Sequence, residues 1–217
     1  NRGIKLRNSD ILKAENLALV KNEVDRSSYA RKWENIEEFF GEDFDNFLSH
    51  IRTILVKSKA GYNLLKEFEE NIYNPREFDR EIKEYKGKPA LLTKGKETFD
   101  FIGKYHEHYK FLFEDENYQI NNNFEFHNLI VLMEKGFEAD FWIAPLLRYY
   151  DKFRTNNLVE FLKKLDNKFS SDWIIGLTPT SRIENVNAII RKIDNSDKSE
   201  AVLNSKTLQI NIDRLID

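Results

Sequence analysis

Residues 43–55 read DFDNFLSHIRTIL. Phe44, Phe47, Leu48, Ile51, Ile54 and Leu55 recur at spacings of three and four, the repeat of one face of an α-helix. A half-buried strand would place them at every second residue. Asp43 heads the segment, where a negative charge suits the positive end of a helix. The same period runs outward in both directions. Upstream, Ser9 as N-cap and Asp10 in the first turn predict a helix carrying Ile11, Leu12, Leu17, Leu19 and Val20. Asp25 or Ser27 can cap a second, with Tyr29, Trp33, Ile36, Phe39 and Phe40, ended by Gly41.

Downstream, Tyr62, Leu64, Leu65, Phe68 and Ile72 predict a fourth helix that stops at Asn74-Pro75. Pro75 then suits the first position of a short helix over 75–85. Lys86-Gly87-Lys88-Pro89 interrupts the pattern. A long helix is expected over 96–114, and another through Phe126, Leu129, Ile130 and Met133 up to Gly136. Residues 142–153 are apolar on one side and read as helical after Pro145. Leu158, Phe161, Leu162, Leu165 and Phe169 form the next stripe. Thr178 as N-cap and Pro179 at the first helical position start the helix of Ile183, Val186, Ile189, Ile190 and Ile193. The tail from Ser199 holds a short helical turn and the start of one more helix. The expectation is an all-α protein, an irregular multi-helix bundle of about ten helices with no substantial sheet. It reads as a single helical domain over 1–217, with 86–95 as the place where two subdomains would divide.

Composition agrees with that reading. Eight Gly and four Pro are few for a turn-dense β-sandwich. Seventeen Phe, nine Tyr and three Trp can fill a sizeable core. The absence of Cys excludes disulfides, thiolate zinc sites, Fe–S clusters and cysteine nucleophiles. No apolar run approaches the roughly 18 residues that a membrane span needs, so no membrane partner and a cytoplasmic location are expected. The net charge of −3 is not that of a protein that coats DNA, although a local basic face remains open. Asn1-Arg2-Gly3 reads like the middle of a loop and Leu215-Ile216-Asp217 carries no stop signal, so the chain reads as a fragment of a longer protein.

The search for chemistry yields little. His106 and His108 lie two apart on a helix, about 200° around its axis, whereas chelation wants spacings of three or four. One ring is therefore expected at the surface and one beside the core. No phosphate-binding Gly-rich loop, nucleophile elbow or Glu-x-x-His pair occurs. No catalytic residue, metal site or cofactor is expected in this segment. Basic residues gather in three places: Arg2, Lys5, Arg7 and Lys13; Lys86, Lys88, Lys94 and Lys96; and Arg182, Arg191 and Lys192. Of these, Arg2, Lys5, Arg7, Lys94, Lys96 and Arg182 are the candidates for phosphate or nucleic-acid contact.

The opening residues, from Asn1 to Lys13, carry a resemblance. Asn1, Gly3, Leu6, Asp10 and Lys13 match a motif of the GmrSD-type modification-dependent restriction endonucleases, with Ile11 where that family usually has Leu. Trp33 with its aromatic neighbours, the 142–153 segment with Pro145, and the Ser181-Arg182 helix start also resemble the family's helical region. Family members carry an N-terminal ParB/sulfiredoxin-like domain that binds and hydrolyses nucleotide, a helical region, and in many cases an HNH-type nuclease domain. The Asp-Gly-Gln-Gln-Arg and Glu-His-x-x-Pro motifs of those end domains are absent here. The resemblance thus implies a non-catalytic helical scaffold or coupling segment of a bacterial anti-phage protein. Its partners would be the flanking domains and DNA; nucleotide and divalent metal would belong to the parent protein. The alternative is a protein-interaction or dimerisation module, with self-association into a homo-oligomer.

Overall fold

The computed structural model of the chain describes residues 7–61, 63–114, 120 and 123–210. Among them, ten α-helical segments and one small hairpin make an all-α fold. In chain order these are α1 (Asn8–Leu17), α2 (Glu23–Phe40), α3 (Phe44–Val56), α4 (Leu64–Glu67), β1 (Arg76–Asp79), β2 (Glu84–Gly87), α5 (Lys96–Phe113), α6 (Asn123–Gly136), α7 (Ile143–Phe153), α8 (Leu158–Ile174), α9 (Pro179–Asp194) and α10 (Ser199–Leu203). They form two compact units, Asn1–Val56 with Ala60–His106, and Lys57–Lys59 with Glu107–Asp217. Residues 86–95 fall inside the first unit, and the boundary falls within α5.

In the first unit, the stripe of α3 is buried as Phe44, Phe47, Leu48, Ile51 and Ile54. Trp33 from α2 meets Phe44 and Phe99 edge-on, at 5.1 and 5.6 Å between ring centres. The cap of α1 lies earlier than expected. Ser9 is inside the helix and fully buried. Asp10 instead accepts the Arg7 N–H at 2.9 Å. Asp45 of α3 accepts the Ser9 N–H at 3.2 Å and the Asn8 amide at 3.0 Å. A carboxylate from another helix thus satisfies the orphan donors of this N-terminus. The α2 cap is also neither Asp25 nor Ser27: Asn22 accepts the Asp25 N–H.

After α4 the helix widens into a π-turn over Phe68–Tyr73, with the Asn74 N–H on the Glu69 carbonyl at 3.0 Å. The Tyr73 hydroxyl accepts from the Asn16 amide and the Thr98 hydroxyl, each at 3.2 Å. Asn16 in turn accepts the Gly95 N–H at 2.7 Å, where Gly95 has the positive φ of 99° that favours glycine.

The helix expected over 75–85 is an antiparallel hairpin, with Arg76 opposite Gly87 and Phe78 opposite Tyr85. Pro75 precedes it, its carbonyl accepting from the Lys88 N–H at 2.7 Å. The Asp79 carboxylate accepts the Glu81 and Ile82 N–H groups, closing a local turn. Lys83 has φ 55°, which no α-helix accommodates.

In the second unit α7 is the most buried element, with eight of its eleven residues inside. Pro145 sits in its first turn, where its missing N–H costs nothing. Tyr149 stacks on Phe161 of α8 at 3.9 Å. Burial pushes the Tyr149 phenol up to about 12, so it remains a donor, to the Asn156 carbonyl at 2.8 Å. Thr178 caps α9 as the sequence predicts, accepting the Ser181 N–H at 3.2 Å. The tail expected to begin another helix, residues 211–217, lies outside the described residues.

Candidate functional site

The cations singled out for phosphate contact differ in their surroundings. Arg2 and Lys5 lie outside the described residues, as do Asn1, Gly3 and Leu6 of the opening motif. Arg7 donates to the Gly41 carbonyl at 3.3 Å. Lys94 bridges Glu69 at 2.5 Å and Glu15 at 3.1 Å. Burial pulls the Lys94 ammonium down, but those two carboxylates outweigh it and hold it above the ordinary lysine value. Lys96 pairs with Asp25, whose hydrogen bond raises the lysine in the same way. Arg182 lies over the Trp173 ring at 4.2 Å. Its Nε and Nη1 are shielded and meet no hydrogen-bond acceptor among the described residues. The described candidates are therefore spread over both units, and those of the first unit are taken up by separate partners. Asp10 and Lys13 of the motif hold α1, the first at the Arg7 N–H and the second against Glu34 at 2.9 Å.

Two other groups of charged side chains are assembled with more care. In the first unit Glu67 is an anionic hub. One of its oxygens takes the Arg52 guanidinium at 2.6 Å and the Asn71 amide at 2.9 Å; the other takes the Gly61 N–H at 2.7 Å. Arg52 is 2% exposed. Burial pushes the Glu67 carboxyl up, but the Gly61, Arg52 and Asn71 bonds prevail and hold it below its ordinary value.

In the second unit the hub is a cation. Arg148 of α7 donates through Nε to Asp194 of α9 and through Nη1 to Asp151, both at 2.6 Å. Lys57 adds a second cation to Asp194 at 2.7 Å. Lys152 donates to the carbonyls of Ile193 and Asp194, at 3.0 and 2.7 Å. Its ammonium thereby meets the negative end of α9. Arg191 reaches back to the Lys57 carbonyl at 2.6 Å. On the far side, His108 lies 3.0 Å from Asp151 and edge-on to the Tyr150 ring, with Arg154 at 3.3 Å.

A histidine oriented by a carboxylate has the layout of an acid–base pair. Here, however, the ring is 6% exposed and enclosed by Asp151, Arg154 and Tyr150. The geometry suits a lock between helices better than access to a substrate. His106 corrects the sequence expectation, because it too is buried, against Phe39 and Phe40. Each ring is buried within its own unit, His106 in the first and His108 in the second. Among the described residues no three His, Asp or Glu groups gather as metal ligands. No helix among them is long and apolar enough to cross a membrane.

Sequence reasoning misses both hubs. One signal is present: Arg52 and Arg148 interrupt otherwise apolar stripes. Glu67 lies 15 residues from Arg52 and Asp194 lies 46 from Arg148, and neither spacing carries a pattern; only Asp151, three residues after Arg148, is a local helical pair.

The fold and these hubs define a class of all-α protein whose charged side chains lock its own helices together. The model of a family of unknown function, DUF7834, matches residues 30–171. That is well over half of the chain, and the chain belongs to this family. The match takes in Arg52, Glu67, His108, Arg148 and Asp151, while Asp194 lies beyond it. No curated protein and no solved structure matches the chain.

Proposed function

We infer that the chain is a helical scaffold and coupling segment of a bacterial GmrSD-like restriction or anti-phage protein, with the catalytic groups in flanking domains. The observation that carries this reading is the Arg148 hub. A segment that transmits a conformational change needs helices that move as one piece, and Arg148, Lys57 and Lys152 fasten the C-terminal end of α9 to α7 and to residue 57. The opening motif adds the link to GmrSD-type proteins, through Asn1, Gly3, Leu6, Asp10 and Lys13. Nucleotide and divalent metal would bind in the flanking domains. Of the described candidate cations, Arg182 is the one without an oxygen acceptor among the described residues; its guanidinium lies on Trp173 with Nε and Nη1 shielded, which leaves Nη2 for a phosphate.

The test uses the complete reading frame. It should encode a ParB-like domain upstream and an HNH-type motif downstream. In the complete protein, Arg148→Ala should reduce nucleotide-dependent DNA cleavage while leaving nucleotide binding intact. Arg182→Ala should weaken DNA binding and lower its salt dependence. The 217-residue chain alone should neither hydrolyse nucleoside triphosphates nor cut DNA. Either activity in that chain, or a frame without the two flanking domains, overturns the reading. A second reading, a self-associating interaction module, is favoured by one separate observation, the exposed hairpin.

A further inference from the structure

The β1–β2 hairpin stands out in an otherwise helical protein. Phe78 is 47%, Ile82 50% and Tyr85 69% exposed. A two-stranded hairpin is marginal in water, and a wider sheet with an apolar face is what stabilises such strands. The ladder says which backbone groups are spent. The Lys88 N–H on the Pro75 carbonyl makes residues 75 and 88 a hydrogen-bonded pair. In antiparallel strands such pairs alternate, so 77 with 86 and 79 with 84 are bonded across the hairpin. The N–H and C=O groups of Arg76, Phe78, Tyr85 and Gly87 then point outward at the two edges. Among the described residues nothing meets them.

We propose that the β2 edge pairs with the β2 edge of a second copy of this chain, about a two-fold axis at Tyr85, to give a continuous four-stranded antiparallel sheet. Charge selects both the edge and the register. Two-fold pairing of β1 about Arg76 sets Arg76 on its own copy. Pairing about Glu77 sets Glu77 on its own copy, and pairing about Phe78 sets Glu77 against Asp79. On β2, pairing about Glu84 or Lys86 also sets like charges together, and pairing about Gly87 sets Lys86 against Lys88. Only the Tyr85 register is self-complementary: Glu84 of each copy faces Lys86 of the other. Opposite charges directly across strands favour pairing and like charges oppose it. Lys86 would then lie between Asp79 of its own hairpin, now at 2.5 Å, and Glu84 of the second copy. Phe78 and Tyr85 already pack at 5.2 Å on one face. The dimer extends them into a row of four rings, Phe78 and Tyr85 from each copy. The proposal does not depend on the flanking domains inferred above.

The experiment is sedimentation velocity of the 217-residue chain over a wide concentration range. A monomer–dimer equilibrium that weakens with added salt is expected. Tyr85→Pro removes an outward N–H that the hairpin itself does not use, as edge positions allow. It should abolish the dimer with circular dichroism and melting unchanged. Lys86→Glu should weaken association at least tenfold, and the double variant Glu84→Lys with Lys86→Glu should restore it. The chain has no cysteine, so Tyr85→Cys gives a direct readout. Facing hydrogen-bonded residues lie about 5.5 Å apart between Cα atoms, within disulfide reach, and oxidation should yield a covalent dimer. A chain that is monomeric at every concentration overturns the proposal. So does a dimer that tolerates Tyr85→Pro, or a double variant that fails to recover.

Discussion

The hubs at Glu67 and Arg148 are built with opposite polarity. Glu67 is an anion ringed by donors, and the cation it holds is Arg52; their side chains are 11% and 2% exposed. Arg148 is a cation held between carboxylates, with exposures of 26% for itself, 21% for Asp194 and 9% for Asp151. The first hub therefore keeps charges that water cannot rescue, and the second keeps charges that water can partly serve. A buried pair is worth little beyond an apolar replacement but costs heavily when one partner is removed. A partly exposed network gives less and forgives more. Stability should thus be far more sensitive at Glu67 than at Arg148, although the second hub joins more groups.

The sharpest way to break this contrast is Glu67→Ala. It strips the buried Arg52 of its carboxylate and should cost about 3–5 kcal/mol in denaturant unfolding. A loss no larger than that of Arg148→Ala would reverse the ranking. The pH profile sharpens the same point. Because the folded carboxyl lies below its ordinary value of 4.5, its stabilisation is complete above that value. It is lost as pH falls through the folded pKa. Glu67→Gln should remove this part of the acid sensitivity, seen as a flatter melting temperature below about pH 4.5. Next in size, Arg148→Ala should cost about 1–2 kcal/mol, less than a fully buried charged hydrogen-bond set. Thr178→Ala, which removes only a cap from the helix ending at Asp194, should cost about 1 kcal/mol by thermal melting. Smallest of all, Lys96→Ala breaks a solvent-exposed pair and should leave the melting temperature unchanged within error.

Much of the fold is legible in the sequence because helices announce themselves locally. The α3 stripe and the Thr178-Pro179 start of α9 need only neighbours within a few residues. The hairpin escapes for an equally local reason. Phe78, Ile82 and Tyr85 are spaced by four and three, a helical pattern, and only the Asp79 turn and the left-handed Lys83 decide otherwise. The cap of α1 escapes because its acceptor, Asp45, comes from another helix. The candidate site is less legible still. Lysines such as Lys94 are visible as charges, but their carboxylate partners, Glu15 and Glu69, depend on tertiary packing. The spacing of the two histidines suggests one ring at the surface, yet both are buried. The groups that bury each ring, Phe39 and Phe40 for His106, Tyr150 and Asp151 for His108, cannot be read from one helix alone.

The π-turn at Phe68–Tyr73 bears on descent. A bond from one residue to the fifth before it holds one more residue than an α-helical turn, which is the geometry that a single-residue insertion into an α-helix would leave. Such turns are rare, and they persist where the extra residue has found a use. Here that residue helps set the phase of Tyr73, whose hydroxyl meets Asn16 and Thr98. Removing one residue would rotate the end of the helix by about 100° and carry that hydroxyl away. Relatives one residue shorter between Asn63 and Asn74 should therefore show an unbroken α-helix there. They should also have lost the need for an amide at position 16, so the length of this segment and the identity of that residue should change together across the family.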